Sequence, residues 1–449
     1  MSEPNAPPPL SPTAKYLILF VAFFGWFFAG VHMSITSLVM RVAAADLLPA
    51  GASEGAIGEW FGWYVCAFLF GAAAGGYLFG LIGDRIGRSR AMATSICCYS
   101  IFSGLSYFAG DTWQLLALRF LTCMGIGGMW PTGIALLSEA WSGVARPILA
   151  GIMGTAANIG ILCFASLTLF WFVTPGDWRW TMLVGACPIL LGLISFAFVP
   201  ESPRWLAAQK SDSSDEAVLA ANKVGLGEIF RPPILKTTLF GILLGTIPLF
   251  GGWGVSNWAA AWSSEAGDTA TASSAETPET DSGEDEQPDE TPDPTLKSKF
   301  VISRSLPGSI SSLLGGALAF YLGRKRMYFL LCVCAFVSAQ MLFRLDNPRS
   351  DGFLFWTGAL GFFSGFFFGW LPLCLPELFP TRVRSTGAGV SFNWGRIVTG
   401  IGVLASAAAL REAFAGQYAT VGQVTGFIYA VGMVAIVLAP PMSARQLDE

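Results

Sequence analysis

Twelve times between residues 16 and 441 the chain runs for about twenty residues with almost no charge. The runs cover roughly 16–40, 58–80, 91–110, 113–137, 148–172, 178–199, 236–262, 300–322, 327–345, 353–376, 386–410 and 420–441. A segment of that length and character matches the hydrocarbon thickness of a bilayer. Inside lipid every backbone amide must be satisfied within its own segment, so each run is predicted to be a helix. Composition excludes a soluble alternative: 12% of residues are charged, against about 25% in soluble domains. The fold class read here is an all-α membrane protein of twelve transmembrane helices.

Charge sets the expected orientation. With the N-terminus in the cytoplasm, 16 Lys and Arg fall on the inner side and seven on the outer. This is the positive-inside bias, and it predicts an inner (plasma) membrane protein with both termini cytoplasmic. The proline-rich residues 1–15 are expected to be disordered, and residues 207–235 to form a cytoplasmic linker between segments 16–206 and 236–449. Eleven of the 30 acidic residues lie between Glu265 and Asp293, so the net charge of −4 describes one loop. That stretch, 263–299, is expected outside the membrane as a disordered acidic loop whose composition cannot build a core. The nine cysteines show no metal-ligand spacing and sit in apolar runs, as small packing residues do. No metal, cofactor or nucleic-acid site is implied, and no nucleophile–base pair suggests an enzyme.

The two halves repeat. GLIGDRIGR at Gly80–Arg88 matches GALAFYLGR at Gly316–Arg324, an offset of 236. Glu139 and Arg146 match Glu377 and Arg384 at an offset of 238, and twelve residues beyond each arginine stand Asn158 and Arg396. Two pseudo-symmetric six-helix bundles are therefore expected, with a binding site near the midplane between them.

These stretches resemble the signatures of the major facilitator superfamily. GLIGDRIGR resembles its loop 2–3 motif, and LRFLTCMGIGG at 118–128 its span-4 motif with Arg119 in the arginine slot. PESPRWL at 200–206 and PELFPTRVRSTGAG at 376–389 are similar to the exits of spans 6 and 10 in the sugar-porter and organic-acid branches. The resemblance implies a secondary transporter working by alternating access, as a monomer, on a small-molecule substrate. It also implies a gating network at the inner face: Gly80, Asp84, Arg85, Gly87, Arg88, Glu139, Arg146, Glu201, Arg204, Gly323, Arg324, Glu377 and Arg384. Asp84 is expected to pair across to the other half.

Within the family's pore-lining spans, the candidates for substrate contact are His32, Trp130, Asn158, Trp253, Asn257, Arg304, Trp370, Asn393 and Arg396. Ionisable residues inside a membrane are expensive and point to function. His32 is the one histidine and a candidate for proton coupling. Arg396 lies mid-membrane with no central Asp or Glu visible in the sequence: either a carboxylate substrate is its counter-ion through paired hydrogen bonds, or it has a structural role bonding carbonyls within the C-terminal half. Arg304 could instead snorkel to the interface.

The pattern departs from proton-coupled acid symporters in two places. Their acidic span-1 sequence reads Ala29-Gly30-Val31-His32 here, and Met129 precedes the span-4 Trp130-Pro131. Carboxylate-based coupling is thereby in doubt. The leading expectation is a transporter of a small organic anion, with a sugar or polyol carrier and a transporter-like receptor as alternatives.

Overall fold

The computed structural model describes residues 10–141, 146–203, 205–206, 226–273, 293–380, 383–440 and 442. Among them are twelve helical rods. The first six are α1 Pro12–Leu47, α2 Glu54–Ile86, α3 Arg88–Ser106, α4 Thr112–Ala140, α5 Arg146–Leu167 and α6 Trp180–Phe198. The rest are α7 Leu235–Ser273, α8 Leu296–Leu322, α9 Arg324–Leu342, α10 Gly352–Cys374, α11 Arg384–Glu412 and α12 Tyr418–Leu438. Eight of these spans are long and apolar enough to cross a membrane on length and hydropathy alone. The serine-, glycine- or arginine-bearing α3, α5, α8 and α11 complete the set.

Local chemistry places the ends. Ser11 caps α1 by accepting from the Ala14 amide at 3.2 Å, ahead of Pro12 at the first helical position. Ser53 and Asp111 cap α2 and α4 in the same way. Gly87 and Gly323, at φ +107° and +84°, turn α2 into α3 and α8 into α9 without a linker, a backbone state that glycine reaches at no steric cost. The face carrying these two turns is called the basic face below. Large apolar side chains project outward along the rods, among them Leu190, Phe196 and Val437, as a lipid-facing surface requires.

The repeat seen in sequence is present in three dimensions. Within the first six helices, α1 packs on α5, α2 on α4, α3 on α4 and α6; within the second six, α7 packs on α11, α8 on α10, α9 on α10 and α12. The bundles meet through α2 against α11 and, by the same symmetry, α5 against α8, with α1 against α7 between them. Close approach is built from small residues. Gly55, Gly58 and Gly62 of α2 face Arg411, Leu410 and Ala407 of α11. Inside the first bundle a side chain on Gly75 would collide with the Met124 carbonyl, so α2 and α4 touch backbone to backbone.

Two expected boundaries shift. Residues 12–15 belong to α1, because the Ser11 cap starts the helix earlier than hydropathy suggests. The acidic loop is shorter than 263–299: α7 continues to Ser273, and α8 begins at Leu296, where Asp293 accepts from the Thr295 amide at 2.9 Å. Residues 1–9, 207–225 and 274–292, on which the disordered terminus, linker and loop were expected, lie outside the described residues.

Candidate substrate site at the seam between the bundles

α7 is the least regular of the twelve rods. After Pro248 its ladder loosens into one π-helical turn, Gly251–Val255, before the α-helix resumes at Ser256. Such turns insert one extra residue and occur mostly at functional positions. Here the turn carries Trp253 to the seam, where its ring stacks on Phe68 of α2 at 4.1 Å and 22°. One helical turn later, Asn257 donates to the Trp253 carbonyl at 2.9 Å and accepts from Ser37 of α1 at 2.7 Å. Trp253 and Asn257 therefore lie where the two bundles touch.

From this level to the face opposite the basic one, the bundles are closed on each other. Arg41, paired with Glu54, reaches Ser264 of α7 at 3.3 Å, and Tyr418 of α12 donates to Glu54 at 2.6 Å. Arg411 pairs with Glu59, and Thr168 meets Ser298 at 2.9 Å. The Cys66 thiol lies 3.1 Å from the Gly400 carbonyl at mid-seam.

Nearer the basic face, α11 presents Asn393, Arg396 and Gly400 on one stripe, as residues three and four apart on a helix must be. Gly400 abuts Phe70 of α2, and a methyl group on Gly76 would lie 3.7 Å from Asn393 Oδ1. Arg396 is half-buried; its guanidinium lies 4.8 Å over the Phe392 ring and donates weakly to Asn393 at 3.4 Å. Among the described residues no carboxylate pairs with it. Asn158 holds the symmetric place on α5, half-buried.

Other predicted contacts sit elsewhere. His32 does not reach the seam: it is fully buried within the first bundle, edge-on to Tyr99, with Nε2 3.1 Å from the Gly185 carbonyl and Nδ1 3.5 Å from Arg119 Nη1. A carbonyl can only accept and a guanidinium can only donate, so these partners define a neutral imidazole with its proton on Nε2. Both ring nitrogens thus face partners inside the first bundle. Arg119 is equally buried and donates to Thr36 at 2.9 Å, a structural role. Trp370 is likewise turned into its own bundle, donating to the Arg324 carbonyl at 3.0 Å with its ring on Tyr328. Trp130 pairs with Trp26 of α1, ring centroids 4.9 Å apart. Arg304 does not snorkel outward; it bends to the π-turn, 3.4 Å from the Gly252 carbonyl.

At the basic face the repeat reappears as chemistry. Arg324 holds Glu377 through two hydrogen bonds of 3.1 and 3.2 Å, and Arg88 lies 4.0 Å from Glu139 in the other half. Glu201 accepts twice from the Ser89 amide at 3.0 and 3.1 Å, placing a carboxylate at the positive end of α3. Asp84 pairs with Arg88 of its own bundle and remains mostly exposed, and among the described residues it has no ion-pair partner in the other half. Gly80 lines the same helix end with open space around it, and Arg85 is exposed. Arg204 and the side chains of Arg146 and Arg384 lie outside what is described. Trp253's partner Phe68, Ser37 and the Arg41–Glu54 pair carry no local sequence signal; only the packing of α1 and α2 on α7 brings them in.

The profile of the Major Facilitator Superfamily matches residues 16–403. The chain belongs to the Major Facilitator Superfamily. As a member of it, the chain is an integral membrane transporter of small molecules, not an enzyme. It is 26% identical over 427 residues to a putative metabolite transport protein of Haemophilus influenzae, covering 94% of this chain and 96% of that one. To a putative niacin/nicotinamide transporter of Bacillus subtilis it is 25% identical over 403 residues, 86% of each. To the cis,cis-muconate transport protein of Acinetobacter baylyi it is 24% identical over 394 residues, covering 86% of this chain and 85% of that one. Among solved structures, the inward-open xylose transporter XylE of E. coli superposes with a TM-score of 0.69 at 18% identity, covering 96% and 97% of the two chains. That likeness establishes the superfamily fold, with twelve helices in two bundles.

Proposed function

We propose that this superfamily member carries a small organic carboxylate by alternating access, with Arg396 as the substrate's counter-ion. The observation that carries the reading is the state of Arg396: a permanent cation on the seam-facing stripe of α11, with one long hydrogen bond and no carboxylate partner among the described residues. A guanidinium so placed is ready for bidentate pairing with a carboxylate. Niacin and cis,cis-muconate, for which two relatives are named, are both carboxylates. Asn393, Trp253 and Asn257 border the same seam and serve as orienting contacts.

The contacts support an assignment of the state in that reading. Cross-bundle bonds gather toward one face, while the Arg88–Glu139 and Arg324–Glu377 pairs each stay within a bundle. With the basic face cytoplasmic and both termini inside, the orientation the charge bias favours, the molecule reads as inward-facing. The opposite state re-forms a latch through Asp84, whose carboxylate is exposed here. His32 is not the coupling group in this reading.

Counterflow in proteoliposomes against a panel of carboxylates and neutral sugars, with and without a pH gradient, tests the proposal. Carboxylate exchange in the wild type, lost by at least tenfold in Arg396→Ala and partly kept in Arg396→Lys, is the expected result. Exchange of neutral sugars alone, or unchanged carboxylate exchange in Arg396→Ala, sinks it.

A further inference from the structure

Five buried side-chain atoms of the second bundle, on Arg304, Thr357, Ser391, Thr399 and Tyr429, find no partner among the described residues, and two of them, on Arg304 and Tyr429, flank one stretch of backbone. Arg304 on α8 extends to the π-turn, where Nη2 lies 3.4 Å from the Gly252 carbonyl, while its buried Nε has no partner. Tyr429 on α12 is fully buried with its ring parallel to Phe367, and its hydroxyl is also unpartnered. That hydroxyl points at the first residue of the turn: a side chain on Gly251 would collide with it. A methyl group on Gly252 would lie 3.6 Å from Arg304 Nη2. Two consecutive glycines thus leave room for the two tips to converge on an irregular stretch of backbone.

Leaving a buried donor without a partner costs about 1–3 kcal/mol, more for a charged group. Exceptions in a folded protein need a reason. The reason lies next door, because Trp253, adjacent to Gly252, stacks on Phe68 of the other bundle and so makes the turn a border of the seam. Donors that the protein leaves unused beside a transport path are free for a ligand oxygen.

We propose that Arg304 and Tyr429 together bind a second hydrogen-bond-accepting group at the far end of the transported acid, so that the preferred substrates are acids with acceptors at both ends. The proposal rests on the reading of Arg396 as the first carboxylate's partner. A free small anion such as chloride shares the same chemistry, and the experiment separates the two.

Equilibrium binding to the purified full chain is measured for matched pairs that differ in one acceptor, terephthalate against benzoate and adipate against hexanoate, in chloride and in gluconate buffer. The expected result is tighter binding of the two-ended member by about tenfold, the worth of one hydrogen bond to a charged group. That ratio falls toward one in Tyr429→Phe and, independently, in Arg304→Lys. A wild type without preference, or a preference that neither variant alters, overturns the proposal. Variant effects that appear only in chloride and weigh equally on both members of a pair assign the site to a free anion and overturn it too. A wild type that binds no carboxylate defeats the Arg396 reading itself, whereas carboxylate binding without preference defeats only the second site.

Discussion

The Phe68 ring lies 4.1 Å from the Trp253 ring and within 22° of parallel, one from each bundle. The pair sits at the junction of α2 with the π-turn of α7, below the polar contacts that close the opposite face. It must separate each time the bundles rock apart there.

Phe68→Ala is expected to weaken that closure. A stacked aromatic pair contributes about 1 kcal/mol beyond its buried area, so the population opened on the opposite face should rise about fivefold. Cys66, two residues away and buried at mid-seam, is a native reporter. Peptide-resolved maleimide labelling should show faster modification of Cys66 in the variant. Equal rates would mean that the stack does not hold the seam.

The two symmetric arginine–glutamate pairs should differ in worth. Arg324–Glu377 is doubly bonded with side chains 19% and 10% exposed, while Arg88 and Glu139 are 4.0 Å apart and 24% and 17% exposed. Arg324→Ala is expected to cost about 2 kcal/mol, the range for charge-assisted hydrogen bonds, and Arg88→Ala less. Thermal unfolding of the two variants in detergent gives the order directly.

Asp84→Asn should reduce transport strongly while membrane insertion and folding stay normal. In the state described, the Asp84 carboxylate pairs, among the described residues, with Arg88 alone and is 65% exposed, so its removal here disturbs little. Its loss is felt in the other state, where the basic face closes. Initial uptake rates near those of the wild type would show that no latch depends on it.

Gly75→Leu is expected to disrupt the first bundle without touching the seam. The added side chain would occupy the space of the Met124 carbonyl, and overpacking of this kind costs about 1–3 kcal/mol. Reduced yield and a lower melting temperature, with Gly80→Leu as a control in open space, provide the check.

Much of the architecture was legible in the chain because the bilayer imposes one period and one length on everything. The repeat offsets of 236 and 238 put Arg88, Glu139, Arg324 and Glu377 on one face, but the expected network between the halves was not what they make here: Arg88 meets Glu139 and Arg324 meets Glu377, each within its own bundle. Which face of a helix looks at the seam was less legible. Trp370 and His32 have the residue types of a transport site, yet each turns into its own bundle to satisfy a backbone carbonyl. In a helix hydrophobic all round, period alone cannot separate a lipid face, a bundle face and a seam face. Tyr429 was invisible for a related reason: an apolar run with one hydroxyl reads as packing until its neighbour in space, Arg304, is known. The π-turn had only a weak sign, the run Gly251-Gly252 after Pro248.

The glycines of α2 that face α11 have a mechanical consequence. Where Gly55, Gly58 and Gly62 meet Leu410 and Ala407, one helix offers a smooth bearing surface, with no side-chain teeth for the other to climb over. Parting the bundles along that line breaks few interlocked apolar groups, so the glycine-faced contact itself resists opening little. The energetic bias between the two orientations is then left to the polar clasps at either end and to the cargo in the middle, which can shift it only by as much as it favours one orientation over the other.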